Sequence, residues 1–133
     1  MELNVPADLL YTTDHMWVLV EDDECTIGIT DFGQSELSEV VYVEVPDQGA
    51  ELFQGEAFGT IEAMKAVAEL ISPISGEVLE MNYTLEDDPR QVNFDAYIDG
   101  WIIKARPSDR DEIDGLMTPD EYTEFVLGAN DEG

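Results

Sequence analysis

A mainly β fold is what this sequence predicts: a hybrid flattened barrel or sandwich of two antiparallel sheets, with a short internal helix and a C-terminal helix. Three observations carry that expectation. Short runs rich in β-branched and aromatic residues recur along the chain, as in Val40-Val41-Tyr42-Val43-Glu44-Val45 and Gly100-Trp101-Ile102-Ile103-Lys104-Ala105. Turn signals separate these runs, among them Pro46-Asp47-Gln48-Gly49 and Pro73-Ile74-Ser75-Gly76. Only beyond Pro107-Ser108 do the apolar residues take up helical spacing.

Taken in order, the chain starts with a loop. Met16 to Val20 and Thr26 to Thr30 then read as a hairpin around the acidic turn Glu21 to Glu24. Trp17 and Leu19 point one way and Val18 and Val20 the other, so the first of these strands has apolar contact on both faces. Thr30 or Asp31 caps a short helix through Phe32 to Leu37, with Gln34 third from the cap. Val40 to Val45 is a strand stopped by Pro46. The two Pro-x-x-Gly turns each lead into an acid-plus-apolar strand, Glu51-Leu52-Phe53 and Glu77-Val78-Leu79, a weak repeat that implies two similar four-stranded halves with Lys65 at their junction. Between them, Phe58 to Ala63 and Val67 to Ile71 form a hairpin. Asn82 to Pro89 reads as an acidic loop, and Gly100 to Ala105 as the last strand, with Trp101 anchoring the core. Asp109 to Leu116 forms a short helix. Thr118-Pro119-Asp120-Glu121 opens a second one, packed through Tyr122, Phe125 and Val126, ended by Gly128 and frayed over Ala129 to Gly133.

At 133 residues the chain fits one domain, 1–133, with a β core at about 14–106 and a helical segment at about 109–128. Met1-Glu2-Leu3-Asn4-Val5-Pro6 has neither a basic start nor an apolar core, so no secretory leader is expected, and no apolar run reaches membrane-spanning length. One cysteine, Cys25, permits no internal disulfide. One histidine, His15, excludes the multi-Cys/His zinc clusters, so no metal site is expected. The net charge of −27, from 32 acids against five bases, would repel nucleic acid and anionic membrane. Its dispersal along the chain resembles that of proteins working in a salt-saturated cytoplasm, and predicts a halophilic protein whose melting temperature rises with KCl. Among so many carboxylates, proximity of any two is no sign of acid-base catalysis, and no credible nucleophile is present.

Against this background Lys65 stands out, since the other bases are only Arg90, Lys104, Arg106 and Arg110. It sits at a hairpin turn between small or unbranched apolar residues, Ala63, Met64 and Ala66, with Glu62 and Glu69 flanking the approach. A lysine so displayed can carry an acyl chain outward, because amide formation removes its charge and leaves a flexible stem.

In order and spacing, several segments together resemble the H-protein family of the glycine cleavage system. They are Tyr11-Thr12-Thr13-Asp14-His15-Met16-Trp17-Val18, Gly28-Ile29-Thr30-Asp31-Phe32-Gly33-Gln34, Val40 to Pro46, Phe58-Gly59 with Ile61-Glu62 and Lys65-Ala66, Ser72 to Val78, Leu85-Glu86-Asp87 with Pro89, Val92-Asn93, and Tyr97 with Gly100-Trp101. The resemblance implies a non-catalytic, cytoplasmic, monomeric carrier with lipoate joined by an amide to Lys65. Its partners would be a pyridoxal-phosphate glycine decarboxylase (P protein), an aminomethyltransferase (T protein) working with tetrahydrofolate, dihydrolipoyl dehydrogenase, and a lipoate ligase or transferase. Asp14, His15, Glu62 and Glu69 would contact the arm. Two departures stand out. The family usually has an acid where this chain has Met16, and Asp14 and Glu69 are the candidates to replace it; Ala96 replaces a common proline. Glu62-Ala63-Met64-Lys65 also resembles a biotin carrier motif, although a second methionine normally follows that lysine and here it is Ala66. An H-like lipoyl relay serving other enzymes is the remaining alternative.

Overall fold

The computed structural model describes residues 4–131. The leader reading at Met1 to Leu3, and Glu132 and Gly133 of the expected frayed end, lie outside the described residues. In chain order the strands are β1 (Leu10–Tyr11), β2 (Met16–Glu21), β3 (Glu24–Ile29), β4 (Val40–Glu44), β5 (Glu51–Leu52), β6 (Ala57–Ala63), β7 (Val67–Ile71), β8 (Gly76–Met81) and β9 (Ile103–Pro107). The helices are α1 (Asp31–Leu37), α2 (Thr84–Asp87), α3 (Gln91–Phe94), α4 (Asp111–Asp114) and α5 (Pro119–Asp131).

Two antiparallel sheets result, one six-stranded in the order β1-β2-β3-β9-β8-β5 and one three-stranded in the order β4-β6-β7, and neither closes into a barrel. The expectation of two similar four-stranded halves is therefore corrected. The repeated Pro-x-x-Gly turns bring β5 and β8 together as neighbours, pairing Leu52 with Gly76, inside the larger sheet. Lys65 follows β6 at the end of the smaller sheet, away from any junction of halves.

The main core fills the space between the sheets, with Ile27, Val78 and Ile103 from one and Val40, Ile61 and Leu70 from the other. A second cluster lies on the far face of the large sheet, where Tyr11 and Trp17 meet Tyr122 and Val126 of α5. β2 thus contributes Val18 and Val20 to one cluster and Trp17 and Leu19 to the other, as its alternation requires. Trp17 lies flat on β3, where a Cβ on Gly28 would come within 2.6 Å of the indole, so only glycine leaves room for the ring. The indole Nε1 donates to the carbonyl of Ala96 at 3.0 Å, holding the loop that the absent proline would have stiffened.

Caps define the helices. Thr30 Oγ1 accepts from Gly33 N at 3.0 Å at the start of α1, while Gln34, read as a possible cap partner, donates instead to Asp31 Oδ1. At α5, Thr118 Oγ1 accepts from Glu121 N at 3.2 Å and Glu121 Oε1 accepts from Thr118 N at 2.9 Å, a reciprocal capping box. α5 continues through Gly128, because among the described glycines only Gly49 and Gly55 take the positive φ that a terminating left-handed turn needs. Tyr122 and Val126 are buried under it, while Phe125 sits at its rim.

Three further expectations are corrected. The stretch beyond Asn82 contains α2 and α3, each a single turn and too short for periodicity to reveal. β1 is two residues long and was likewise invisible as a run. The last strand begins at Ile103 instead of Gly100, because the Asn82 amide donates to the carbonyls of Asp99 and Trp101 at 2.9 and 2.7 Å and holds that segment as a loop. Trp101 is accordingly half-buried, packed against the second cluster with Lys104 Nζ 5.3 Å from its ring centre, instead of lying within the core.

Candidate acylation site and adjoining groove

Met64 and Lys65 form the apex of the β6–β7 hairpin, above the Glu62–Val67 pair and a bond from Ala63 N to Ala66 O of 2.9 Å. The apex is also tied sideways, since Met64 N donates to Glu39 O at 2.9 Å. Asn93 of α3 fixes that support. Its Oδ1 accepts from Val40 N at 2.8 Å, and its Nδ2 donates to Ser38 O at 2.7 Å and to Gln34 Oε1 at 2.8 Å. Along the hairpin stem, a Cβ on Gly59 would overlap the Glu44 carbonyl at 2.2 Å, so β4 and β6 approach as closely as they do only over glycine.

Lys65 itself is exposed. Arg90, Lys104, Arg106 and Arg110 each pair with one carboxylate at 3.3 to 3.7 Å, and among the described residues Lys65 alone of the five bases has no such partner. Acylating its amine breaks no ion pair and leaves no buried charge uncompensated.

Beside β7 lies a groove of about 150 Å³ in which Asp14, His15 and Glu69 come together with Glu36, on a floor that includes Met16 and Ile61. Asp14, Glu36 and Glu69 are all exposed, so their charges meet solvent at its rim. Glu62 is not part of the groove. Strand alternation puts Glu62, Val67 and Glu69 on the outer face of the small sheet and turns Ile61 and Ala68 inward, and Glu69 reaches the groove because β7 is the sheet edge beside it. In sequence its lining residue Ala68, the second residue of β7, is three positions beyond Lys65, a span of at most about 11 Å. Met16, where the resembled family has an acid, is 2 % exposed, a place where an unpaired carboxylate would be costly. Glu36 was not singled out in the sequence, where it is one acid among many on a short helix.

His15 adopts φ 66°, turning its ring toward α5, where Nδ1 lies 2.8 Å from the Tyr122 hydroxyl; that hydroxyl is in turn 2.7 Å from Thr30 Oγ1. Because Thr30 Oγ1 already accepts from Gly33 N, one arrangement satisfies every proton of this chain. Thr30 donates to Tyr122, Tyr122 donates to His15 Nδ1, and His15 carries its hydrogen on Nε2. Burial lowers the His15 pKa below its ordinary value, with Glu36 and Asp14 opposing that shift, and burial raises Tyr122 to about 12, so both rings stay neutral. Tyr122 had been legible only as a packing residue, and it does pack, stacked on Tyr11 with ring centres 4.8 Å apart. Cys25 is a buried strand residue whose thiol pKa is raised by burial, against a smaller opposing effect of Arg110.

The sequence model of the family described as Glycine cleavage H-protein matches residues 9–128. The protein of Geobacillus sp. (strain WCH70) named Glycine cleavage system H protein is 48% identical over 124 residues, 93% of this chain and 98% of its own. A Bacillus subtilis (strain 168) protein of the same name is 47% identical over the same length and coverage. The crystal structure of a glycine cleavage system H protein from Mycobacterium marinum superposes with a TM-score of 0.83 at 32% identity, covering 93% of this chain and 99% of that one.

Proposed function

The chain belongs to the glycine cleavage H-protein family, and from that premise we propose that Lys65 is the residue on which it carries lipoate. Proteins of this family hold lipoate covalently on a lysine, and the chain is a non-catalytic, lipoyl-carrying shuttle of the glycine cleavage system. The observation that carries the assignment to Lys65 is its exposure at a braced apex with no ion pair to break, while the other four bases are engaged.

Lipoate, when bound, supplies a dithiol–disulfide couple that takes up and releases the one-carbon unit. The chain's own residues hold and shelter it. Lys65 would hold it through an amide, the β6–β7 turn would fix where it starts, and the groove would accept the far end. There the carboxylates of Asp14, Glu36 and Glu69 would face a cationic amine, the His15 Nε2–H would be available to donate, and the apolar floor would displace water. Glu62, outside the groove, serves the approach to the turn instead of the arm's resting place.

The aminomethyl group passes from the pyridoxal-phosphate glycine decarboxylase to the aminomethyltransferase. We extend the partner set to dihydrolipoyl dehydrogenase and a lipoate ligase or transferase. We further read the chain as a single lipoyl-carrier domain, monomeric because a carrier that visits several enzymes binds each weakly. We take it to be cytoplasmic, in keeping with the lack, among the described residues, of a helix long and apolar enough to cross a membrane, and halophilic on the strength of its charge. Intact mass after co-expression with a lipoate ligase tests the central assignment. One lipoyl increment is expected, absent in Lys65→Arg, and modification at another residue, or by a biotin ligase only, overturns it. The buried Met16 favours one second reading, a lipoyl relay to other enzymes. Exchange of labelled bicarbonate into glycine with the decarboxylase excludes the relay if it proceeds.

A further inference from the structure

The outer face of the small sheet, next to Lys65, is built in a way that the display of one lysine does not require. β4 and β6 pair Val40 with Ala63 and then Tyr42 with Glu62, so Val41 is an extra residue in a β-bulge. Without the bulge, alternation after the fully buried Val40 would expose Val41 and send Tyr42 inward. With it, both stand out, Val41 at 48% and Tyr42 at 51% exposed. Tyr42, Glu62 and Val67 then form one row across the three strands, the second row below the Lys65 apex. Val67 is 64% and Met64 71% exposed, so four large apolar side chains surround the hairpin of a strongly acidic chain. The same face carries Glu62 within the row and Glu44 and Glu69 in the next one, joined through Thr60. Among the described residues the ion-paired bases lie elsewhere, Lys104 and Arg106 on β9 with β8 acids.

We propose that this bulged face, Val41, Tyr42, Met64 and Val67 rimmed by Glu44, Glu62 and Glu69, is the docking surface for the enzyme that acylates Lys65, whose complementary surface has an apolar centre and a basic rim. The inference rests on Lys65 being the acylated residue. Reach selects this partner over the others. An unmodified lysine extends only roughly 6 Å from its Cα at ordinary bond lengths, so an enzyme forming the amide must cover the hairpin and the same-face rows beside it, about 7 Å apart. A completed arm adds its own length to that reach, so enzymes that act on its far end need not approach these rows as closely. Charge fixes the rim, because acids without neighbouring bases favour Lys and Arg on the partner and speed encounter at low salt.

The test uses the full chain with a purified lipoate ligase, ATP and lipoate. Tyr42→Ser/Val67→Ser is compared with wild type and with Phe53→Ser, a control that removes another half-exposed aromatic outside this sheet. The double variant is expected to lose about tenfold or more in kcat/KM for acylation, carried by KM, with the control unchanged. Calorimetric binding of ligase to Lys65→Arg, which cannot be acylated, is expected to weaken likewise when the two changes are added, and to weaken with rising NaCl. Wild-type KM in the double variant, or binding indifferent to salt, overturns the proposal. So does a wild-type dimer in sedimentation that the double variant dissolves, since the face would then be a self-interface. Failure of wild type to be acylated at Lys65 would instead remove the reading beneath it. Circular dichroism and melting confirm that these surface variants fold.

Discussion

At the scale of single residues, the hydrogen-bond chain from Thr30 through Tyr122 to His15 makes a demand that can be read spectroscopically. Nitrogen-15 NMR of the imidazole is expected to show His15 protonated on Nε2 at neutral pH. In Tyr122→Phe, which keeps the stack on Tyr11 and removes the hydroxyl, Nδ1 loses its donor and the tautomer preference relaxes. The variant is expected to lose about 1–3 kcal/mol, because Thr30 is fully buried and its hydroxyl hydrogen is left without an acceptor. An unchanged tautomer would mean that Tyr122 only packs. The same histidine sets a pH dependence of definite sign. Burial holds its folded pKa below the ordinary 6.5, so the unfolded chain takes up the proton first. The stability due to the neutral ring is full above that ordinary value and is lost as pH falls from it toward the folded value. The stability advantage of wild type over His15→Gln should therefore shrink on acidification, measured by denaturant unfolding at a series of pH values. The comparison cancels the carboxylates common to both proteins.

Secondary-structure elements hold Lys65 in place through a residue that no pattern would have picked. Asn93 is the third residue of the single-turn helix α3, yet its amide satisfies Val40 N, Ser38 O and Gln34 Oε1, and the stretch from Ser38 to Val40 that it holds offers Glu39 O to the Lys65 turn. Asn93→Ala strands a partly buried N–H at the head of β4, at a cost of about 1–3 kcal/mol. Hydrogen exchange at Val40 and Met64 should quicken together in that variant; loosening of Val40 alone would mean that the turn is held by its own strands. This contact also marks where reading the sequence stops. Strand alternation in Met16 to Val20, the Thr118 cap and the β6–β7 hairpin were legible because each depends on residues near one another in the chain. Tyr122 on His15 and Asn93 on Val40 link residues 107 and 53 positions apart, and the β4 bulge depends on register with β6, so none of them leaves a local trace. Lys65 was legible because bases are so scarce, whereas Glu36 was hidden by the abundance of acids.

For the whole molecule the governing quantity is a net charge of −27 carried by a small two-sheet core. The ion pairs among the described residues do little to offset it. All four lie on the surface, such as Lys104–Glu80 at 3.7 Å with the glutamate side chain 55% exposed, and pairs of that kind contribute about 0–1 kcal/mol each. Added salt thus has little attraction to weaken and much repulsion to screen, so the melting temperature must rise with KCl. The shape of the rise separates two causes. Screening alone is nearly complete once the Debye length has fallen to about 3 Å, near 1 M. A protein adapted to concentrated salt gains further from hydrated cations gathered at its carboxylates, and its melting temperature should keep climbing to several molar KCl. Calorimetric melting from about 0.1 M upward, repeated on a variant with surface acids such as Asp22, Glu86 and Asp109 changed to Asn or Gln, distinguishes the two. Continued climb in wild type with a shallower slope in the variant is the expected outcome. A plateau near 1 M in both would reduce the acidity to ordinary self-repulsion, and a flat dependence throughout would remove the halophilic reading.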